Sequence, residues 1–246
     1  MRRLFPDPEL DVDPADAYGR LSPVAANRPA VRLNMIESVD GAAAVNGRTV
    51  GLGGTADHTV AAILRSLADV ILVGAGTVRT EAYGPAVPDD TGTARRAALG
   101  LVGAPVIAVL TRSCRLDWQS PFFTQAEQRP IVLTTANANP ADRDRAQAVA
   151  DVVIAGEAAV DLAVALRVLA GRGVRNVLAE GGPRVSAQLA AGDLLDELCL
   201  TLAPKLVAGP AFRILNGPVL DPPAALDLDH VLESDGYLFL RYRRRR

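Results

Sequence analysis

From Val31 onward, short runs of β-branched and aliphatic residues alternate with alanine-rich amphipathic stretches. Near-continuous apolar runs read as strands buried on both faces, and the helix-spaced stretches between them make the pattern that of an α/β domain. It predicts strands over Val31–Ile36, Val70–Val73, Val106–Leu110, Ile131–Thr134, Val152–Ile154 and Asn176–Ala179. Helices are predicted over Thr55–Leu67, Ala141–Ala150, Ala159–Ala170 and Pro183–Ala190. Asp57, Asp142 and Asp161 fall in or just before first turns, where a carboxylate meets free amides and the positive end of the helix dipole. The C-terminal end changes character. Glu197–Ala203 reads as a strong strand, a Pro/Gly-rich stretch runs from Pro204 to Pro223, and an alternating strand follows at Tyr237–Tyr242. With no helix between them, the two late strands are expected to pair antiparallel at the sheet edge. The fold expected is therefore a mixed, mostly parallel sheet flanked by helices, with antiparallel C-terminal strands. Residues 1–28 carry Pro6, Pro8, Pro14 and Pro23 among acidic residues and alanines, which suits an extended N-terminal arm or one short helix. That leaves residues 29–246 as the main domain.

Composition narrows the classes of partner. A chain of 246 residues, 49% hydrophobic, can bury a sizeable core without a staple. Its formal charge of -2, from 26 basic and 28 acidic residues, offers no electrostatic reason to bind nucleic acid or an anionic membrane. A small-molecule substrate fits better. Cys114 and Cys199 are the only cysteines and lie far apart, so neither a disulfide framework nor a cysteine zinc site is expected, and the cytoplasm is the expected compartment. His58 and His230 are the only histidines and have no partner at ligand spacing, so no metal is expected. The basic start runs straight into acidic residues without the apolar stretch of a secretory signal, and no apolar run approaches the ~20 residues of a membrane span. Arg241 and Arg243 to Arg246 read as a solvated basic terminus.

Three strand ends are followed by residues suited to phosphate. After Val70–Val73 come Gly74, Ala75, Gly76 and Thr77, where glycines let the backbone turn sharply and approach a ligand. Thr77 is placed to cap a following helix and offer its hydroxyl to a phosphate oxygen. The run is not the dinucleotide fingerprint, because Arg79 stands at the third glycine position. After Val106–Leu110 come Thr111, Arg112 and Ser113, two hydroxyls and a guanidinium fork that suit a phosphomonoester such as a ribose 2′-phosphate. An ordinary polar loop with one surface arginine reads equally well. After Asn176–Ala179 come Glu180, Gly181, Gly182, Pro183, Arg184 and Val185, a break into a helix with proline in its first turn. Backbone amides and the helix dipole there suit a pyrophosphate, against a turn needing glycines for shape alone.

The first strand runs into Glu37, Ser38, Val39, Asp40 and Gly41. A carboxylate at that position can bind an amide-like ring edge or assist proton delivery beside a hydride acceptor, and Asp-Gly is also a common turn.

Taken together these segments resemble the reductase domain at the C-terminal end of the bifunctional riboflavin-biosynthesis deaminase/reductase, a relative of dihydrofolate reductase. The matching stretches are 33–41, 68–78 and Leu178–Pro183, with Asp196–Pro204 followed by Gly209 similar to the family's penultimate strand. The resemblance spans about residues 29 to 243 in the family's order.

The resemblance implies a dihydrofolate-reductase-like mixed sheet, NADPH as hydride donor and a homodimer. It also implies an oxidoreductase acting on a ribosylaminopyrimidine of the 5-amino-6-(5-phosphoribosylamino)uracil type, or on a pterin. By position, Gly74, Ala75, Gly76 and Thr77 are expected at the cofactor and Thr111, Arg112 and Ser113 near its 2′-phosphate. Gly181, Gly182, Pro183, Arg184 and Val185 are expected at its pyrophosphate. Glu37, Ser38, Asp40 and Glu180 are expected towards the substrate, with Asp40 as the catalytic carboxylate. After Thr77 the chain reads Arg79-Thr80-Glu81-Ala82-Tyr83 where the riboflavin enzymes commonly have Asp-Asp-Pro, in the segment that helps hold the phosphoribosyl group, so Glu81 also joins the expected substrate contacts. No H-x-E followed by P-C-x-x-C occurs in the chain, so zinc-dependent deamination is not expected of it and a stand-alone reductase is. Dihydrofolate as substrate, or a nucleotide-binding module without turnover, are the other readings that the same residues allow.

Overall fold

The computed structural model describes residues 1–81 and 84–246. In chain order its elements are β1 (Arg2–Phe5), a 3-10 turn over Pro14–Ala17, β2 (Ala30–Ser38), α1 (Thr55–Ser66), β3 (Val70–Gly74), α2 (Ala75–Thr80) and α3 (Asp90–Ala98). They continue with β4 (Val106–Leu110), α4 (Pro121–Thr124), β5 (Ile131–Thr134), α5 (Pro140–Val149), β6 (Asp151–Ile154) and α6 (Leu162–Gly171). The last are β7 (Asn176–Ala179), α7 (Pro183–Ala191), β8 (Glu197–Ala203), β9 (Leu226–Ser234) and β10 (Tyr237–Arg244). These elements form two compact units: Met1–Leu21, Val31–Leu64 and Ala179–Arg246 make the first, and Ser22–Ala30 with Arg65–Leu178 make the second.

The second unit is parallel. β3, β4, β5 and β6 pair in that order, each parallel to the next, with β7 beside β3. Every residue of β3, β5 and β7 is buried, which is why these strands show no polar alternation in the sequence. α6 buries Leu162, Ala165, Leu166 and Leu169, the i, i+3, i+4, i+7 stripe of a helix lying on a core. It starts at Leu162 rather than Ala159 because the Asp161 carboxylate accepts from the Val164 amide at 3.0 Å and fixes the N-cap. α3 has no apolar stripe to announce it. Its N-cap is Asp89, and buried Arg96 donates to the carbonyls of Gly103, Ser66 and Ala68.

The first unit is mixed. β8 pairs parallel with β2 and antiparallel with β10, as the absence of an intervening helix predicts for the late strands. β10 pairs antiparallel with β9, and β9 with β1. The sequence reading lacked β9, although the hairpin signal stands at its end: Asp235 and Gly236 adopt φ of +54 and +80 between the paired Ser234 and Tyr237. A two-residue turn with positive φ at both positions matches the right-handed twist of the strands it joins. The N-terminal stretch, expected as an extended arm or one short helix, carries β1 and one 3-10 turn. Buried Glu197 explains what holds it. Its carboxylate pairs with Arg32 and, at 2.7 Å, with Arg241, and these guanidiniums donate onward to the Gly19 and Ala17 carbonyls at 2.8 and 2.9 Å. The α/β class, mostly parallel with antiparallel C-terminal strands, is thus the architecture observed.

Candidate functional site

In the second unit the expected cofactor residues stand at the carboxyl ends of neighbouring parallel strands, where open α/β sheets bind ligands. β3 ends in Gly74, which is itself the N-cap of α2 and brings no side-chain cap. Thr77 therefore does not cap the helix as its position suggested. It lies inside the helix, half-buried, and its carbonyl accepts from the Glu81 amide at 2.9 Å. Glu81 terminates α2. Ala82 and Tyr83 lie outside the described residues.

At the end of β4 the expected trio divides. Thr111 is buried, and its hydroxyl accepts from the Cys114 amide at 3.1 Å, which shapes the turn. The Arg112 carbonyl accepts from the Thr135 hydroxyl at 3.2 Å, while the Arg112 side chain and Ser113 are exposed. Arg112, Ser113, Arg115, Thr135, Asn137 and Asn139 contribute to the wall of a cavity of about 360 Å³. Arg115, three residues past Arg112 in the same loop, was missed from sequence, as were Thr135, Asn137 and Asn139, which only the fold brings from the end of β5 and the start of α5 to the end of β4.

In the first unit, Gly181 sits at φ +79, where a Cβ would meet the Met35 sulfur at 3.2 Å. The positive φ favours glycine there, and a Cβ would also press on the Met35 side chain. Gly182 is the N-cap of α7 and supplies no side-chain acceptor, while Pro183 occupies the first turn. Val185 is buried and its amide donates to the Gly182 carbonyl at 2.9 Å, while Arg184 is exposed.

The carboxyls of this unit differ sharply in environment. Asp40 is exposed and accepts from the Ser38 hydroxyl and from the Val207 and Ala208 amides, the last at 2.7 Å. The Ser38 hydroxyl, reinforced by those amides, holds its pKa down to about 2. So placed, the carboxylate is an acceptor that staples the 205–208 segment to the end of β2. Ser38 is fully buried, and its hydroxyl also accepts from the Ala42 amide at 3.0 Å, so it belongs to the same staple. Glu37 is half-buried, and burial raises its pKa. Glu180 is half-buried at the end of β7. Asp57, read from sequence as a helix-end carboxylate, is the residue the pattern concealed. Burial raises its pKa, with the charge of Glu180 adding to the effect, while a hydrogen bond from Thr201 on β8 and the nearby His58 oppose it.

A model of the RibD C-terminal domain matches residues 29–236. The 2,5-diamino-6-ribosylamino-4(3H)-pyrimidinone 5′-phosphate reductase of Methanothermobacter thermautotrophicus is 29% identical over 199 residues, 80% of this chain and 88% of that protein. Among solved structures, a pyrimidine reductase-like protein from Corynebacterium diphtheriae superposes with a TM-score of 0.81 at 30% identity, covering 94% of this chain and 98% of the other. The riboflavin biosynthesis reductase of Saccharomyces cerevisiae shares the fold at 19% identity and a TM-score of 0.68, over 89% and 91% of the two chains. On the match to most of its length, the chain belongs to the RibD C-terminal domain family.

Proposed function

We propose that this protein is an NADPH-dependent reductase of a ribosylaminopyrimidine phosphate. The observation that carries the reading is the similarity, across four-fifths of the chain, to an enzyme named for reduction of such a compound. We take residues 29–246 as the reductase domain, working as a cytoplasmic homodimer on a small-molecule substrate. Among the described residues no helix is long and apolar enough to cross a membrane.

The chain's own chemistry fits a phosphorylated dinucleotide. The cavity beside β4 is lined by Arg112, Arg115 and Ser113, and it suits the 2′-phosphate. The uncapped start of α7, with Gly182, Pro183, Arg184 and Val185 at its first turn, suits the pyrophosphate, because its leading amides lack side-chain acceptors. Gly74, Ala75, Gly76 and Thr77 would take the cofactor's backbone approach at the end of β3. A bound NADPH would supply the hydride; the protein's part is to orient and to manage the proton. Glu37, Glu180 and Glu81 are assigned to the substrate, and Asp40 with Ser38 to holding the loop beside it. Glu37 and Asp57 are the carboxyls of the first unit whose protonated form burial favours, so they are better proton carriers than Asp40.

The test follows NADPH oxidation by absorbance with the ribosylaminopyrimidine phosphate and with dihydrofolate in parallel. Turnover of the first is the expected result. Turnover of dihydrofolate alone would move the protein to pterin reduction, and NADPH binding without either turnover would make it a silent nucleotide-binding module. Failure to bind NADPH would overturn the reading.

A further inference from the structure

The cavity beside β4 holds a buried charge that a phosphate site does not need. Asp142, in the first turn of α5, lines the cavity with a side chain only 8% exposed, yet its carboxylate would repel a phosphate dianion. Two guanidiniums answer it. Arg145, one turn along α5, pairs with one oxygen, and Arg115 reaches the other at 3.3 Å. The Arg115 side chain is otherwise 76% exposed, so this pair is what fixes where its guanidinium stands. Arg112 makes no ion pair among the described residues. Of the charged groups lining the cavity, Arg112 and Arg115 stand against Asp142, and Arg145, from outside the lining, offsets the Asp142 charge, which leaves the two lining guanidiniums to face a phosphomonoester carrying close to two negative charges.

We propose that Asp142 is a positioning residue that holds Arg115 over the cavity as a second cation for the nucleotide phosphate, and that Arg112 and Arg115 together set the preference for a phosphorylated dinucleotide. The inference rests on the reading of this cavity as the 2′-phosphate site. A flexible arginine at the surface loses rotamer freedom when it grips a ligand, and a buried carboxylate that already orients it removes part of that cost. Arg145 matters because, with it in place, Asp142 is neutralised without consuming Arg115. Asn139 contributes separately by capping α5, its side chain accepting from the Ala141 amide at 2.9 Å, which keeps Asp142 in register with the cavity.

Calorimetric titration of the full chain with NADPH, NADH and 2′-AMP tests this, using wild type, Arg115→Ala, Arg115→Lys and Asp142→Asn. Wild type comes first: equal affinity for NADPH and NADH would overturn the phosphate-site reading itself. Given a preference, Arg115→Ala is expected to weaken NADPH and 2′-AMP by about tenfold or more and to leave NADH unchanged. Arg115→Lys should recover part of that loss, since it restores charge without the fork. Asp142→Asn should weaken NADPH severalfold with NADH and the melting temperature little changed. Tighter NADPH binding by Asp142→Asn would overturn the proposal, because it would mean the carboxylate acts only as a repelling charge. Equal losses for NADPH and NADH would overturn it as well, as the mark of a purely structural role. If Asp142→Asn fails to fold, the two Arg115 variants still decide whether Arg115 holds the phosphate.

Discussion

His230 is the group whose protonation the fold opposes most clearly. Its ring lies on β9, 5% exposed, edge-on to Tyr18 at 5.0 Å between centroids, and its Nε2 has no hydrogen-bond partner among the described residues. Burial lowers its pKa from 6.5 to about 4, with the positive charges of Arg241 and Arg32 acting in the same direction and Asp229 and Glu197 opposing them. The folded protein therefore keeps the ring neutral while the unfolded chain protonates it below about pH 6.5. Below that pH the unfolded state binds more protons, so stability is present in full above it and is lost as pH falls towards 4. A gap of about 2.5 pH units corresponds to about 3.4 kcal/mol at full desolvation. Allowing for solvent and neighbouring charges that screen the ring, about 2 kcal/mol is the expected loss. His230→Phe keeps the aromatic contact with Tyr18 and removes the titration. Urea denaturation of both proteins at pH 7.5 and pH 4.5 gives the answer, because every other titrating group is common to the pair. Wild type should lose about 2 kcal/mol more than His230→Phe over that interval. Parallel losses would mean that the ring is reached by water or a partner in the folded state, and the reasoning would be wrong.

Asp40→Asn should leave the acid limb of the pH-rate profile where it is, since the carboxylate is held at a pKa of about 2, and should speed proteolytic cutting in the 205–208 segment it staples; a moved acid limb would return Asp40 to proton transfer. Gly181→Ala places a side chain at φ +79 against Met35 and should cost at least about 1–2 kcal/mol in thermal or urea melts, so a wild-type melt would contradict the backbone geometry. Glu197→Gln leaves Arg32 and Arg241 buried without their shared counter-charge and should destabilise by about 3–5 kcal/mol in urea titration, with a loss under 1 kcal/mol refuting the buried pairing.

The α/β class is written in the amino-acid pattern, because strands buried on both faces must read as unbroken apolar runs and helices lying on a core must show a 3.6-residue stripe. β3, β4, β5 and β7 and the helices α1, α6 and α7 were legible for that reason, and α5 by the proline and aspartate of its first turn. The glycines after β3 and β7 were legible too, since sharp turns at strand ends demand them. Tertiary structure decided the rest. β1 is four mostly exposed residues whose only reason to be a strand is the partner β9, some 230 positions away. α3 depends on a cap and on Arg96 reaching carbonyls of other segments, neither of which leaves a hydrophobic period. Asp40 and Asp57 look alike as letters, two aspartates near the ends of elements. Three donors fold onto Asp40, while burial encloses Asp57, and only those surroundings separate a fixed acceptor from a carboxyl that favours its proton. The same holds for Arg115 and Asp142, 27 positions apart in the chain, whose meeting at one cavity follows from the parallel register of β4 and β5 and from nothing local to either residue.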